Sequence, residues 1–158
     1  KIPKDNIYAA SLLHDIGKIF LPANLFDGHN ITSQEYDYVK THAIMGFKAL
    51  KKYHLFTALC SGLHHNLYKA GYGISNDLFP STWSPSTIKK VLEISTIISI
   101  CDFIDAFTSR TTTIKDGSDK SKDLKSMLYE KYSNDQIIVD AALASYQKLF
   151  KRKCNFQK

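Results

Sequence analysis

The sequence predicts an all-α fold, a bundle of five to eight helices. Three observations carry the helical part. Apolar residues recur at helical spacing, and no stretch shows the period-two alternation of a half-buried strand. Helix-start signals stand ahead of those stretches, clearest in Thr32 and Glu35, which have the spacing of a capping box. The stretch from Ser86 or Thr87 to Phe107 is apolar on nearly every side, as in a helix at the middle of a bundle.

Taken in order, Asp5 is placed to cap a first helix through Tyr8, Ala9, Leu12, Leu13 and Ile16, with Gly17 as its terminator. Residues 19–31 hold Pro22, Gly28 and Asn30 and read as a connection anchored by Phe20, Leu21, Leu25 and Phe26, with His29 exposed. The second helix follows Thr32, with Tyr36, Val39 and Ala43 on one stripe, His42 at its end, and Gly46 as a break before Phe47–Tyr53. His54 follows two lysines and reads as surface. The stretch from Phe56 to His65 is helical, with Ala58, Leu59 and Leu63 toward the core. The Gly- and Asn-rich segment from Asn66 to Pro85 is longer than an ordinary helix connection, as functional loops are, and Trp83 can pack it down. After the long helix comes a polar stretch, Thr111 to Lys122. A short helix with Leu124, Met127, Leu128 and Tyr132 follows, then a last one capped by Ser133 or Asn134.

A chain of 158 residues with 44% hydrophobic content is sized for one domain, 1–158. It begins at Lys1 without a methionine and reads as a fragment of a longer chain. The formal charge of +6 admits an anionic partner, but much of the excess lies at Lys148, Lys151, Arg152, Lys153 and Lys158, a solvated face or tail. No aromatic ladder is interleaved with these lysines, so neither a single-strand groove nor double-stranded nucleic acid is expected. Cys60, Cys101 and Cys154 are odd in number and far apart, the usage of a reduced, cytoplasmic chain. The most apolar run, Ile94 to Cys101, is too short to cross a bilayer.

Several polar residues fit badly in apolar helices: His14, Asp15, His42, His64, His65 and Asp102. Singly, each has an ordinary explanation, such as a satisfied core histidine or a helix C-terminal pair favoured by the dipole. Together, imidazole and carboxylate ligands from four helical segments suffice for two transition metals sharing a bridging carboxylate. Asp102 and Asp105 lie on the most apolar helix, where a buried carboxylate needs a metal, a cation or several donors. Lys18 brings a positive charge near His14 and Asp15.

The order His14-Asp15-Ile-Gly-Lys18, Pro22, Lys40-Thr-His42-Ala-Ile-Met-Gly46, His64-His65 and Cys101-Asp102-Phe-Ile-Asp105-Ala-Phe-Thr-Ser109 resembles the HD-GYP family. That family is a branch of the HD-domain metal-dependent phosphohydrolases, and the resemblance runs from about Ile7 to about Phe150. It implies a phosphodiesterase that hydrolyses cyclic di-GMP to pGpG or GMP. Two divalent transition metals would serve it, Fe or Mn ahead of Ni or Zn. His14, Asp15, His42, His64, His65 and Asp102 would be the ligands, Asp15 bridging. Lys18 would contact the scissile phosphate, Asp15 and Lys18 forming the catalytic pair, and Asp105 would orient a histidine or cap the site. A GGDEF-domain protein is the signalling partner the resemblance suggests.

The chain departs from the family after the histidine pair, where the family has Glu, then Asp-Gly and Gly-Tyr-Pro. Here stand Asn66, Lys69-Ala70 and Gly71-Tyr72-Gly73, and losing the proline is expected to free the loop. The family's Asp-Arg-Pro-Tyr is Arg110-Thr-Thr-Thr113 here, so a phosphate-contacting arginine is either displaced by one position or missing, and Asn66, Lys69, Tyr72 and Arg110 are the candidates for substrate contact. The family's third metal leans on an upstream glutamate; Asp5 is the sole acid near that place, so two metals are expected. These departures leave two competitors: a metal-holding regulatory module that binds a nucleotide or protein with little or no turnover, and a hydrolase of another phosphoester.

Overall fold

The first helix, α1 (Lys4–Leu13), starts directly behind Pro3, whose φ of −56° is already set for a helix entry. No side chain caps it, so Asp5 is not the cap; it stands in the first turn, where its charge favours the helix dipole. This computed structural model describes residues 3–68, 71–110 and 120–155, with side chains for all of these except 110, 120–123 and 150–155. Among the described residues there are seven α-helices, three short 3-10 turns and no strand. None of those helices is long and apolar enough to cross a membrane. The chain divides into two compact units, Lys1–Ile98 and Ser99–Lys158.

In the first unit α1 presents Ala10, fully buried, with Ile7 beside it, while Tyr8 and Leu12 are exposed. The expected apolar face is therefore turned: the small Ala10 lets α1 lie close to α4, and larger residues there would hold the helices apart. The helix also ends earlier than expected, at Leu13, with His14 as C-cap and Asp15 at φ −98°, ψ 7°. Gly17 does not terminate α1. It lies buried in a 3-10 turn, Ile16–Phe20, against the start of α3. A Cβ at Gly17 would fall 1.9 Å from the carbonyl oxygen of His42 and 2.7 Å from the amide nitrogen of Gly46. Backbone on backbone leaves no flexible side chain to yield.

The connection to α2 includes a second 3-10 turn, Ala23–Phe26, in which Leu25 is buried, as is Leu21 before it; Phe20 and Phe26 are exposed. The capping box of α2 (Ser33–Lys40) is present as expected: Thr32 Oγ1 accepts from the Glu35 amide at 3.2 Å and Glu35 Oε2 accepts from the Thr32 amide at 2.8 Å. Tyr36 is exposed, however, and no α2 residue is fully buried. α3 (His42–Leu50) continues through Gly46 without a break. Gly46 serves close packing on α4 (Leu55–Leu63), since a Cβ there would lie 2.2 Å from Ser61 Oγ. His54 caps α4, its Nδ1 accepting from the Thr57 amide at 3.3 Å.

Ala10, Leu59, Cys60, Leu63, Ile74, Val91, Ile94 and Ile98 form the core of this unit, with Phe79 and Trp83 packed against it, so the long loop is held down as expected. Burial pushes the Cys60 thiol up to about 12, making it a small apolar filler. α5 (Pro85–Arg110) begins earlier than expected, with Ser84 Oγ accepting from the Thr87 amide at 3.2 Å and Pro85 at the first helical position.

The second unit joins the end of α5 to α6 (Lys120–Lys131) and α7 (Gln136–Asn155). Ile100, Ile104, Leu124, Leu128, Tyr132 and Val139 are buried in it, and the Tyr132 hydroxyl meets that of Ser99 at 2.7 Å. Met127, an expected apolar contributor, is 39% exposed. α7 starts later than either expected cap allows: the residue before it is Asp135, whose carbonyl accepts from Ile138 and Val139.

Gly17→Ala is expected to lower the unfolding free energy by about 2 kcal/mol or more, beyond ordinary overpacking at a side-chain neighbour. Denaturant titration of the purified variant measures it; a loss below about 0.5 kcal/mol would contradict the close approach of the two backbones.

Candidate metal centre

His14 and Asp15 are adjacent in sequence, and the end of α1 is what lets both point to one place. Because the helix stops at Leu13, Asp15 leaves the helical path and turns back beside His14, with Asp15 Oδ2 3.5 Å from His14 Nε2. The close contact of Gly17 brings the start of α3, and with it His42, against the same turn. The end of α4 supplies His64, its C-cap, and His65.

Three of these imidazoles are held in the same way. His14 Nδ1 donates to the Ser11 carbonyl, His42 Nδ1 to the Val39 carbonyl and His64 Nδ1 to the Ser61 carbonyl, each at 2.7 Å and each three residues back. A carbonyl can only accept, so these bonds put the proton on Nδ1 and leave the lone pair on Nε2, the tautomer a metal ligand needs. The Nε2 atoms of His42 and His64 lie 3.5 Å apart. Ligand atoms on a common ion with bonds near 2.1 Å stand roughly 3–3.5 Å apart.

Asp15 completes the arrangement. Its Oδ1 lies 3.1 Å from His42 Nε2 and 3.8 Å from His64 Nε2, yet is buried with no hydrogen-bond donor. Its Oδ2 accepts from Lys18 Nζ. Burial by itself raises the Asp15 carboxyl; the Lys18 ammonium on Oδ2 opposes it and holds the group below the ordinary carboxylate range, while His42, with its proton on Nδ1, offers Oδ1 no donor. An ionised oxygen thus faces imidazole lone pairs with no proton between them. That arrangement is costly by itself and is relieved by a cation placed among these atoms.

Burial, reinforced by the neighbouring His14, pushes His64 down to about 4, so it is neutral and able to ligate at physiological pH. His65 stacks on Tyr72 with ring centroids 4.5 Å apart, and the Tyr68 hydroxyl lies 3.4 Å from its Nδ1. Two overlapping groups have the compactness of a metal site. His14, Asp15 and His64 form one and His42, His64 and His65 the other, the ligand atoms within each lying within 4.8 Å of one another. Five of the six expected ligands are brought together in this way, from the ends of three helices.

The sixth, Asp102, belongs to the second unit, where it is half-buried and its charge partly offsets the lowering of Lys131 by burial. Asp105 is exposed, so the expectation of a buried carboxylate in need of a partner is corrected: water meets its charge. Asn66 is taken up structurally, its Nδ2 donating to the Ile74 carbonyl at 2.7 Å. The loop is pinned, not freed, by that bond, by the Tyr72 amide on the His65 carbonyl at 2.9 Å and by the Ile74 amide on the Gly62 carbonyl at 3.0 Å. Gly73 has φ +125°, a conformation closed to proline, so the backbone here follows its own path. Lys69 lies outside the described residues, as does the side chain of Arg110.

Sequence reasoning took Gly17 and Gly46 for helix breaks and missed Ser61, although all three set how closely the segments carrying the candidate ligands approach. Ser61 alone left a signal: a polar residue three positions before His64 in an apolar helix. A scan of family models, a search of curated proteins and a search of solved structures each return no match to this chain.

Between about pH 6.5 and 4 the unfolded chain takes up a proton at His64 that the folded chain does not, so acid favours unfolding. Asp15, depressed in the folded state, adds a further loss only below the ordinary carboxylate value of about 4. Chelator-treated protein is expected to lose on the order of 2–3 kcal/mol of stability from pH 7.5 to 4.5. His64→Gln should flatten that slope, as read by denaturant titration across the range; equal slopes for both proteins would contradict the buried neutral imidazole.

Proposed function

We propose that the chain is a metal-dependent phosphodiesterase whose centre is held by His14, Asp15, His42, His64 and His65, with Asp102 the further ligand suggested by the HD-GYP resemblance. The buried, donor-less Oδ1 of Asp15 among Nε2 lone pairs is the observation that carries this reading. An imidazole-rich set with one carboxylate suits Fe, Mn, Ni or Zn better than Ca or Mg. When bound, a pair of such metals supplies hydroxide at neutral pH and draws charge from a phosphoryl oxygen.

The chain's own residues support the rest. The Nδ1 bonds to carbonyls fix the imidazoles before any ligand arrives, which lowers the ordering cost of the site. Asp15 stays ionised across the physiological range, and the HD-GYP resemblance would make it the bridging ligand. Lys18, on Asp15 Oδ2, keeps a positive charge at the edge of the centre, where charge grows on the phosphoryl oxygens as water adds to phosphorus and the ester oxygen leaves with a proton. Cyclic di-GMP, cleaved to pGpG or GMP, is the substrate that the motif order favours; another phosphoester is the alternative within the same chemistry.

A second reading has one observation in its favour. Asn66 stands where the family carries glutamate, and its amide is committed to the Ile74 carbonyl. On that reading the centre holds metal and binds a nucleotide, or a signalling protein such as a GGDEF domain, without turnover.

Protein purified without added metal is expected to carry about two Fe, Mn, Ni or Zn ions per chain by elemental analysis, and Asp15→Ala to lose them. Incubation with cyclic di-GMP and Mn(II) or Fe(II), followed by chromatography, should give linear product with the unaltered chain and none with Asp15→Ala. Binding without cleavage selects the second reading; metal-free protein that takes up none of these ions on addition would overturn both.

A further inference from the structure

We infer that Ser61 is a positioning residue of the metal centre, tying the end of α1 to the end of α4 so that His14, Asp15 and His64 meet. This rests on the reading of those residues as ligands. Ser61 is fully buried, and its hydroxyl donates to the carbonyl of His14 at 2.7 Å. That carbonyl is one of the last of α1, a group the helix itself leaves without a partner. Asp15 follows at once with a non-helical backbone, so the bond clamps the chain at the point where it leaves the helix. The carbonyl of the same residue accepts the Nδ1 proton of His64, which aims Nε2 inward. Ser61 therefore sets the backbone of one ligand, the exit of the next and the ring of a third.

Size offers a competing explanation, because α3 crosses at Gly46 and leaves no space beyond Ser61 Oγ. Variants separate the two roles. Ser61→Ala keeps the carbonyl that holds His64 and removes only the clamp on His14. Gly46→Ala puts a methyl where Ser61 Oγ lies, 2.2 Å away, so it displaces the hydroxyl and strains the packing. In the double variant that methyl enters the vacated space; Ser61 Cβ is 3.5 Å from it, an ordinary contact, and Gly17 N is 3.4 Å away.

The test uses the full chain, stripped by chelator and titrated with Co(II), whose visible absorption reports ligand number and geometry; affinity is read by competition with a coloured chelator and folding by denaturant titration of the metal-free protein. Ser61→Ala is expected to fold, to bind Co(II) about tenfold or more weakly and to shift the absorption. Gly46→Ala should lose both stability and affinity. The double variant should recover the stability and keep the weakened affinity, and it carries the same reading should Ser61→Ala alone fail to fold. Co(II) affinity and absorption unchanged in Ser61→Ala, or restored in the double variant, would overturn the positioning role. Failure of the unaltered chain to bind Co(II) would instead overturn the metal centre itself.

Discussion

Asp15 Oδ1 is an anionic oxygen shut away from water, with His42 Nε2 at 3.1 Å and His64 Nε2 at 3.8 Å turned toward it as lone pairs. Left alone, such a cluster repels itself. The protein holds it together because every strand of the arrangement is anchored in backbone. The three Nδ1 protons go to carbonyls of the imidazoles' own segments, the His14 carbonyl takes the Ser61 hydroxyl, and Gly17 seats the α1 exit directly on the start of α3.

Backbone anchoring has a chemical consequence. A histidine whose ring is oriented by a flexible side chain can trade tautomers and rotate; one bonded to a carbonyl three residues back has its tautomer set by an acceptor that cannot donate. His14, His42 and His64 are of this second kind. His65 is held differently, by stacking on Tyr72 and by the Tyr68 hydroxyl, both supplied by the loop that follows it. The geometry at His65 is therefore coupled to that loop.

The same loop is where the chain parts most clearly from the family it resembles. A glycine at φ +125° stands where the family has proline, and the amide of Asn66, where the family has glutamate, is used to hold the Ile74 carbonyl. Both act on one stretch of backbone: Gly73 lies against the Gly62 carbonyl, the Ile74 amide donates to that carbonyl, and the Asn66 amide holds the Ile74 carbonyl. Tyr68 and Tyr72 of this loop hold the His65 ring, so a change in the loop reaches the candidate centre through that imidazole.

Much of the helical content was legible in local pattern, because capping, periodicity and glycine-rich connections act over a few residues: Thr32 and Glu35 form their box, and Ala58, Leu59 and Leu63 are buried. The ligand candidates were legible as polar residues out of place in apolar helices. What pattern misjudged was anything chosen by a distant partner. The sequence by itself determined an all-helical chain and which side chains are candidates for a metal, since residue chemistry and short-range hydrogen bonding need no neighbour from elsewhere. Only the tertiary structure decided that Gly17 is a contact and not a stop, that α1 buries Ala10 and exposes Leu12, and that the Ser61 hydroxyl reaches the His14 carbonyl, because each depends on how closely one backbone can approach another.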